Sequence, residues 1–407
     1  MTAMMNFLKG VRVIDFTQVI SGPYATFMLA QQGADVIKLE LPKGGDQARS
    51  MMRREGPFGD AGLSPMFLAF NSGKRSLALD LKHPEAKAVL AKLVENADVV
   101  IQNYKAGAID RLGFGYDWAK SVNPSIIYCA ISGFGQQGPR AGAAAYDPVI
   151  QANSGMMTLT GHEGVTGPTK VGFWVCDMAT GMTAAFAVSA AIAHKRGTGE
   201  GAYIDLSMLD VAASFISPMA TNFLNFGAMP YLMGNGSPGG STASSVYETA
   251  NGFVQVSAAT DGQFQAQCGA MERPDLISDP RFNCRESRIA NAELLREELL
   301  KTFALADAKT WENRLGAVGV PAGAVQTIPQ MVEDPQIEGR NLVKTAQAPT
   351  GMASPYRTIG APMVVNGELD GTLPPVPRLG EHTADILNEV GFSADEIAQF
   401  SKSGATN

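Results

Sequence analysis

Over its first two hundred residues the chain alternates short β-branched runs with runs whose apolar residues recur at helical spacing, and this alternation limits the fold more than any single motif. Strands are predicted at 11–16, 35–41, 76–81, 98–103 and 125–131, with helices at 24–32 and 84–95. A strand that returns through a helix re-enters its sheet parallel to the strand it left, which makes this half an α/β, Rossmann-like layer with a parallel sheet. The run 177–196 is apolar and rich in Ala, as expected of a helix buried against a neighbour. A chain of 407 residues is long enough for two domains. The rhythm changes near residue 210, so a large domain is assigned to 1–209 and a linker to 210–233. After the Gly/Ser-rich loop GNGSPGGSTASS, a strand at 252–258 is followed by three polar amphipathic helices, giving a smaller α+β domain at 234–328. Two prolines in VGVPAGAVQTIPQM mark its end. The tail 329–407, with a last helix at 383–390, is expected to return and complete the large domain.

Composition removes several function classes. A formal net charge of −7 argues against a general nucleic-acid binder, which needs a basic field over a whole face. Residues 1–11 carry one lysine and no long apolar run, so no secretory signal is expected, and no stretch approaches 18 uninterrupted apolar residues. Cys129, Cys176, Cys268 and Cys284 are scattered, without metal-ligand spacing or a disulfide pattern, which fits a reducing cytoplasm. His83, His162, His194 and His382 are equally dispersed, so neither a metal cage nor a histidine triad forms from sequence neighbours.

The motifs are individually modest. Gly133, Gly135 and Gly138 in GFGQQG match the dinucleotide pattern after a strand, yet Pro139, Arg140, Ala141 and Gly142 follow where a helix should open, so a surface turn is expected. Asp177 lies between the apolar FWVC and a long helical run. It reads either as a plain N-cap or as a carboxylate that the helix N-terminus holds ionised near neutral pH, able to act as a nucleophile toward a thioester. Asp147, before Pro148, is likewise placed to cap its own helix. Lys74, Arg75, Lys82, Lys105 and Arg111 fall around two strand ends, where they form either an anion site or solvated surface charge.

Five segments in order resemble family III CoA-transferases, the family of formyl-CoA transferase and carnitine CoA-transferase: LKGVRVIDFTQVISGPYAT at 8–26, GADVIKLELPKGGDQAR at 33–49, NSGKRSLALDLKHPEA at 71–86, NYKAGAIDRLGFGY at 103–116 and LGEHT at 379–383. The resemblance runs almost end to end. It implies a Rossmann-like large domain, a small domain and a homodimer whose two chains interlock as linked rings. It places Asp177, in VCDMATG, at the family's nucleophilic aspartate, which forms an acyl-aspartyl anhydride and then an aspartyl-CoA thioester. By the same carry-over Gln18, Val19, Ser21, Leu79, Lys82, Asn103, Tyr104 and Arg111 contact coenzyme A, and Tyr146 and Asp147 stand beside the reacting centre. Gly239 and Gly240 belong to a glycine-rich loop that covers it in some members. Coenzyme A is then a co-substrate, with no tightly bound cofactor and no metal. The partners are acyl-CoA and a small carboxylate, with succinyl-CoA a common family donor, and neither nucleic acid nor membrane is expected.

Two departures stand out. Leu41 replaces an arginine after the strand-end Glu40, leaving Lys43 to serve a phosphate or adenine contact, and Ile20 replaces a glutamine near the formyl-CoA transferase site, which disfavours the formyl-CoA and oxalate pair. The rival within the superfamily is an α-methylacyl-CoA racemase, whose histidine would occupy the position of Tyr146. A tyrosine, with an ordinary pKa of about 10, exchanges protons poorly at neutral pH. A CoA-binding protein without catalysis would require Asp177 to have no role.

Overall fold

The computed structural model describes residues 6–236, 242–367 and 371–407, which form two compact units. The larger unit is built on six parallel strands: β1 (Arg12–Asp15), β2 (Asp35–Glu40), β3 (Arg75–Ala78), β4 (Val99–Gln102), β5 (Ile127–Ser132) and β6 (Ala202–Ser207), in the spatial order β3-β2-β1-β4-β5-β6. Side chains alternate between the two faces of a strand, and here both faces are buried. Ile14, Phe16, Ile37, Leu39, Val100 and Tyr128 point to one side, against Val89, Leu90 and Leu93 of the helix Ala86–Glu95. Val13, Val36, Val99, Ile101, Ile127 and Cys129 point to the other, where helix α1 (Ser21–Gln31) and a long later helix lie. The five predicted strands are all present. The sixth, AYIDLS, is an edge strand whose side chains alternate between half-buried and exposed, and it was not among the strands expected from sequence.

Helix α2 (Asp147–Asn153) and helix α3 (Val175–Thr198) follow β5. By length and composition α3 would pass for a membrane span. Its Ala184, Val188 and Ile192 nevertheless pack into the core beside α1. The two helices touch at Gly181, where a Cβ would lie 2.6 Å from the Ser21 carbonyl oxygen and 2.9 Å from Tyr24 Cδ1. Only glycine permits that approach. The stretch 210–233, read from sequence as a linker, carries helix α4 (Met208–Phe215) into it and then helix α5 (Ser217–Phe226).

The smaller unit, from the described residues of Met157–Lys170 and Ala228–Asp334, has an antiparallel sheet of β7 (Ser245–Glu248), β8 (Phe253–Val256) and β9 (Ala322–Ala324). Tyr247, Val254, Phe264, Leu299, Phe303 and Trp311 fill its core, the Tyr247 and Phe303 rings stacking 4.6 Å apart. Its principal helices are α6 (Asp261–Ala270), α7 (Ala292–Phe303) and α8 (Ala308–Ala317). The tail then rejoins the larger unit. Helix α9 (Thr383–Glu389) sends Ile386 and Leu387 into the first core, while Thr383 Oγ1 accepts the Ala78 N–H of β3 at 3.2 Å.

Candidate active site

In an open parallel sheet, ligands bind where the strand order reverses, beyond the carboxyl ends of the strands. Here that point lies between β1 and β4, and a cleft of about 390 Å³ opens there. Its walls come from the turn after β1 (Gln18, Val19, Ile20, Ser21), the turn after β4 (Asn103, Tyr104, Lys105), the end of β5 (Ile131, Ser132, Gly133), the segment before α2 (Ala143 to Tyr146), Asp177 and Met208.

The turn after β1 is held in an uncommon shape. Val19 sits at φ 69°, a left-handed conformation that costs a β-branched residue on the order of 1–3 kcal/mol. Two side chains enforce it. Asn103 accepts the Gln18 N–H at 2.8 Å and donates back to the Gln18 carbonyl at 2.8 Å, while Asp46 accepts the Val19 N–H at 3.0 Å. Asp46 is itself fixed by a buried ion pair with Lys38 at 2.7 Å, and Lys38 also donates to the Thr17 carbonyl at 2.8 Å. Next to it lie two further buried pairs, Lys74 with Asp15 at 3.2 Å and Arg49 with Glu40 at 2.7 Å. Buried charges such as these need their partners, so their ordered positions transmit to the turn.

Two of the basic residues grouped in the sequence are therefore structural rather than free for a ligand. Lys74 is consumed by Asp15, Asn71 and the Pro23 carbonyl, with burial pushing its ammonium down to about 8. Arg75 is paired with Asp35 and Glu389 at 2.7 Å each.

The helix begins at Val175, two residues before the start expected at Asp177, so Asp177 stands in the first turn of α3 and is not the N-cap. The N-cap position holds Trp174, which offers no side-chain acceptor. The missing cap comes from thirty residues upstream: Asp147 Oδ2 accepts the Cys176 N–H at 2.7 Å and the Asp177 N–H at 3.1 Å. Asp147 is only 2 % exposed and caps α3, whereas its own helix α2 begins after Tyr146. The carboxyl of Asp177 meets the hydroxyl and backbone of Ser21, at the start of α1. Burial and then the Asp147 charge raise it to about 7, with the Ser21 hydrogen bonds pulling the other way. The expectation of a carboxylate kept fully ionised by the helix N-terminus is thus corrected. Desolvation and a second carboxylate outweigh it, and at neutral pH the group is poised between its two forms. Neighbouring Cys176 is buried, and burial with the two aspartates pushes its thiol up to about 12, which leaves it an inert thiol.

Of the residues carried over from the resemblance, Gln18, Val19, Ser21, Asn103, Tyr104, Tyr146 and Asp177 come together around this one cleft. Tyr146 is 70 % exposed at its edge. Asp147 lies behind the wall. Leu79, Lys82 and Arg111 do not line the cleft: Leu79 is buried after β3 with its N–H on the Glu40 carbonyl at 2.8 Å, while Lys82 and Arg111 are exposed on the segments that follow β3 and β4. Gly239 and Gly240 lie outside the described residues. Among the described residues no group of three His, Cys, Asp or Glu side chains could hold a metal ion.

Sequence reasoning missed the far wall. Gly133, first residue of the GFGQQG loop set aside as a surface turn, lines the cleft, and a Cβ there would lie 2.2 Å from Ala145 Cβ. The available signal was its place just after β5, beside the switch point, rather than the glycine spacing.

Comparison with known proteins agrees with this geometry. The model of CoA-transferase family III matches residues 8–383. Succinate–glutarate CoA-transferase of Agrobacterium fabrum is 37% identical over 390 residues, covering 94% of this chain and 95% of that protein. Succinyl-CoA:mesaconate CoA-transferase of Haloarcula hispanica is 37% identical, covering 95% and 97%. A CAIB/BAIF family protein from Brucella suis superposes with a TM-score of 0.82 at 31% identity, over 94% of this chain and 99% of that one. A parallel sheet with a cleft at its switch point, a carboxyl poised in that cleft and relatives matched across nearly their whole length lead to one assignment: the chain belongs to CoA-transferase family III and is a CoA-transferase.

Proposed function

We propose that the enzyme moves CoA between small carboxylic acids, dicarboxylates among them, with succinyl-CoA as donor, through covalent intermediates on Asp177. The observation that carries this reading is the presence of the Asp177 carboxyl in the same cleft as the rigid turn Gln18–Ser21 and the pair Asn103–Tyr104. In its ionised form Asp177 attacks the thioester carbonyl carbon; the C–S bond breaks and CoA leaves as thiolate, giving an acyl-aspartyl anhydride. The thiolate then attacks the aspartyl Cγ, releasing the donor acid and leaving an aspartyl-CoA thioester. The acceptor carboxylate attacks that Cγ, the C–S bond breaks and CoA leaves again as thiolate, giving a second anhydride; the thiolate then attacks the acceptor acyl carbon, restoring the Asp177 carboxylate. No proton is gained or lost across the cycle. The wall formed by the turn 18–21, Tyr104 and the exposed Lys105 is suited to hold the CoA moiety, with the exposed Lys82 and Arg111 further out along it. The donor and acceptor class is supported by the names of two relatives, the succinate–glutarate and succinyl-CoA:mesaconate transferases.

The working unit is proposed to be a cytoplasmic homodimer with interlocked chains. Helix α5 has no buried residue, with Leu224 at 77 % and Phe226 at 80 % exposed, and on α3 Phe186 is 75 % exposed. Apolar surface of this kind marks an interface, and a second copy of the chain is the occupant proposed.

The deciding experiment combines Asp177→Ala with trapping. With succinyl-CoA and glutarate, the variant should lose transfer while keeping its fold and acyl-CoA binding; turnover within about tenfold of the parent would remove the mechanism. Hydroxylamine added to the parent with donor should yield a hydroxamate and a mass change at Asp177. Exchange of deuterium into the α-carbon of the acyl group, without transfer, would instead favour racemisation.

A further inference from the structure

Gln151 lies one helical turn after Asp147 on α2 and is 1 % exposed, yet its amide is fully engaged. Its Nε2 donates to Asp147 Oδ1 at 2.6 Å and to the Phe173 carbonyl at 3.4 Å, and its Oε1 accepts the Val171 N–H at 2.8 Å. One side chain therefore grips both the carboxylate that caps α3 and the strand of chain that feeds into α3. The two oxygens of Asp147 are divided, Oδ1 to Gln151 and Oδ2 to the Cys176 and Asp177 amides. Without the Gln151 donor, Asp147 could rotate about its terminal torsion, which is broad for an sp³–sp² bond. The first turn of α3 would then lose the fixed acceptor that its own N-cap position cannot supply.

We propose that Gln151 is a positioning residue for the transfer reaction: it locks Asp147 and the segment 171–173 so that the main chain of Asp177, and with it the carboxyl, is aimed at the thioester carbonyl. The role rests on Asp177 being the nucleophile. It also makes Asp147 a fixed cap instead of an acid or base in the cycle. The chemistry of the contacts explains the residue type. A glutamate would set two acceptors against each other at Asp147 Oδ1, and an apolar side chain of equal size would fill the space and hold nothing.

The test uses the full-length enzyme with succinyl-CoA and glutarate as probes. Gln151→Met should lower kcat by about 10²-fold, as expected for a nucleophile displaced by a fraction of an ångström to one ångström, with KM for succinyl-CoA within about threefold. Gln151→Glu, which matches the native volume, should lose about as much at pH 8. Amide hydrogen exchange at Cys176 and Asp177 should quicken in both. In an Asp147→Ala background Gln151→Met should cost less than about twofold more, because the two residues act as one unit. Unchanged kcat in a folded Gln151→Met or Gln151→Glu enzyme overturns the proposal, as does an equal loss with and without Asp147. The exchange measurement needs no turnover, so it separates this inference from the assignment of the nucleophile: an active Asp177→Ala enzyme would refute that assignment and leave the exchange result to be judged alone.

Discussion

The carboxyl of Asp177 is raised from its ordinary 3.8 to about 7 because burial strips it of water and Asp147 stands behind it with a second negative charge. The protonated form is the one the folded protein accommodates best. The contribution of this one group to stability is therefore fully present below about pH 4 and is lost as pH climbs toward 7, where the folded state is forced to bury the charge. Asp177→Asn removes that charge at constant shape. Its unfolding free energy should exceed the parent's at pH 8 by an amount on the order of 1–3 kcal/mol, read as a higher melting temperature, and match it at pH 4. Equal melting at both pH values would show that the charge is not strained in place. The proposed mechanism requires the opposite form, so kcat/KM should climb with pH through about 7 and then level off.

Secondary-structure elements were legible to different degrees, for physical reasons. Strands β1 to β5 announce themselves because a parallel sheet covered on both faces favours β-branched, apolar runs, which VVIQ shows outright and RVID and DVIKLE show around their few charged residues. The start of α3 was misplaced by two residues because its cap is a tertiary contact: no local pattern around Trp174 reveals that Asp147 will arrive. The buried ion pairs under the turn were equally hidden, since Lys38 and Asp46 or Lys74 and Asp15 look like surface charges in one dimension. The crossing of α1 over α3 at Gly181 belongs to this scale too. Gly181→Val would drive branched carbons into the Ser21 carbonyl and the Tyr24 ring, and should cost at least about 1–3 kcal/mol in urea unfolding while moving Ser21 away from Asp177 and lowering kcat. A variant as stable and active as the parent would show that the helices separate freely.

For the molecule as a whole, the family, the parallel sheet and the identity of the nucleophile candidate could be read from residues alone, through segments such as VCDMATG and NYKAGAIDRLGFGY. The far wall of the cleft could not, because Ala143 to Ala145 and Met208 are ordinary residues that matter only by where the fold puts them. Assembly is the property that one chain cannot express by itself. Sedimentation should report a dimer, and the double change Phe186→Glu and Leu224→Glu should yield monomers with little transfer activity; an unchanged sedimentation coefficient would exclude those faces from the contact.

The crimp at Val19 has a bearing on how a ligand is met. A loop that stiffens only around its guest charges the ordering entropy to the encounter, weakening capture of something as floppy as a pantetheine arm. Here the torsional penalty is settled during folding, between Asn103 and Asp46, so on the proposed reading an arriving thioester meets a cleft wall already in its final shape and must surrender only its own freedom.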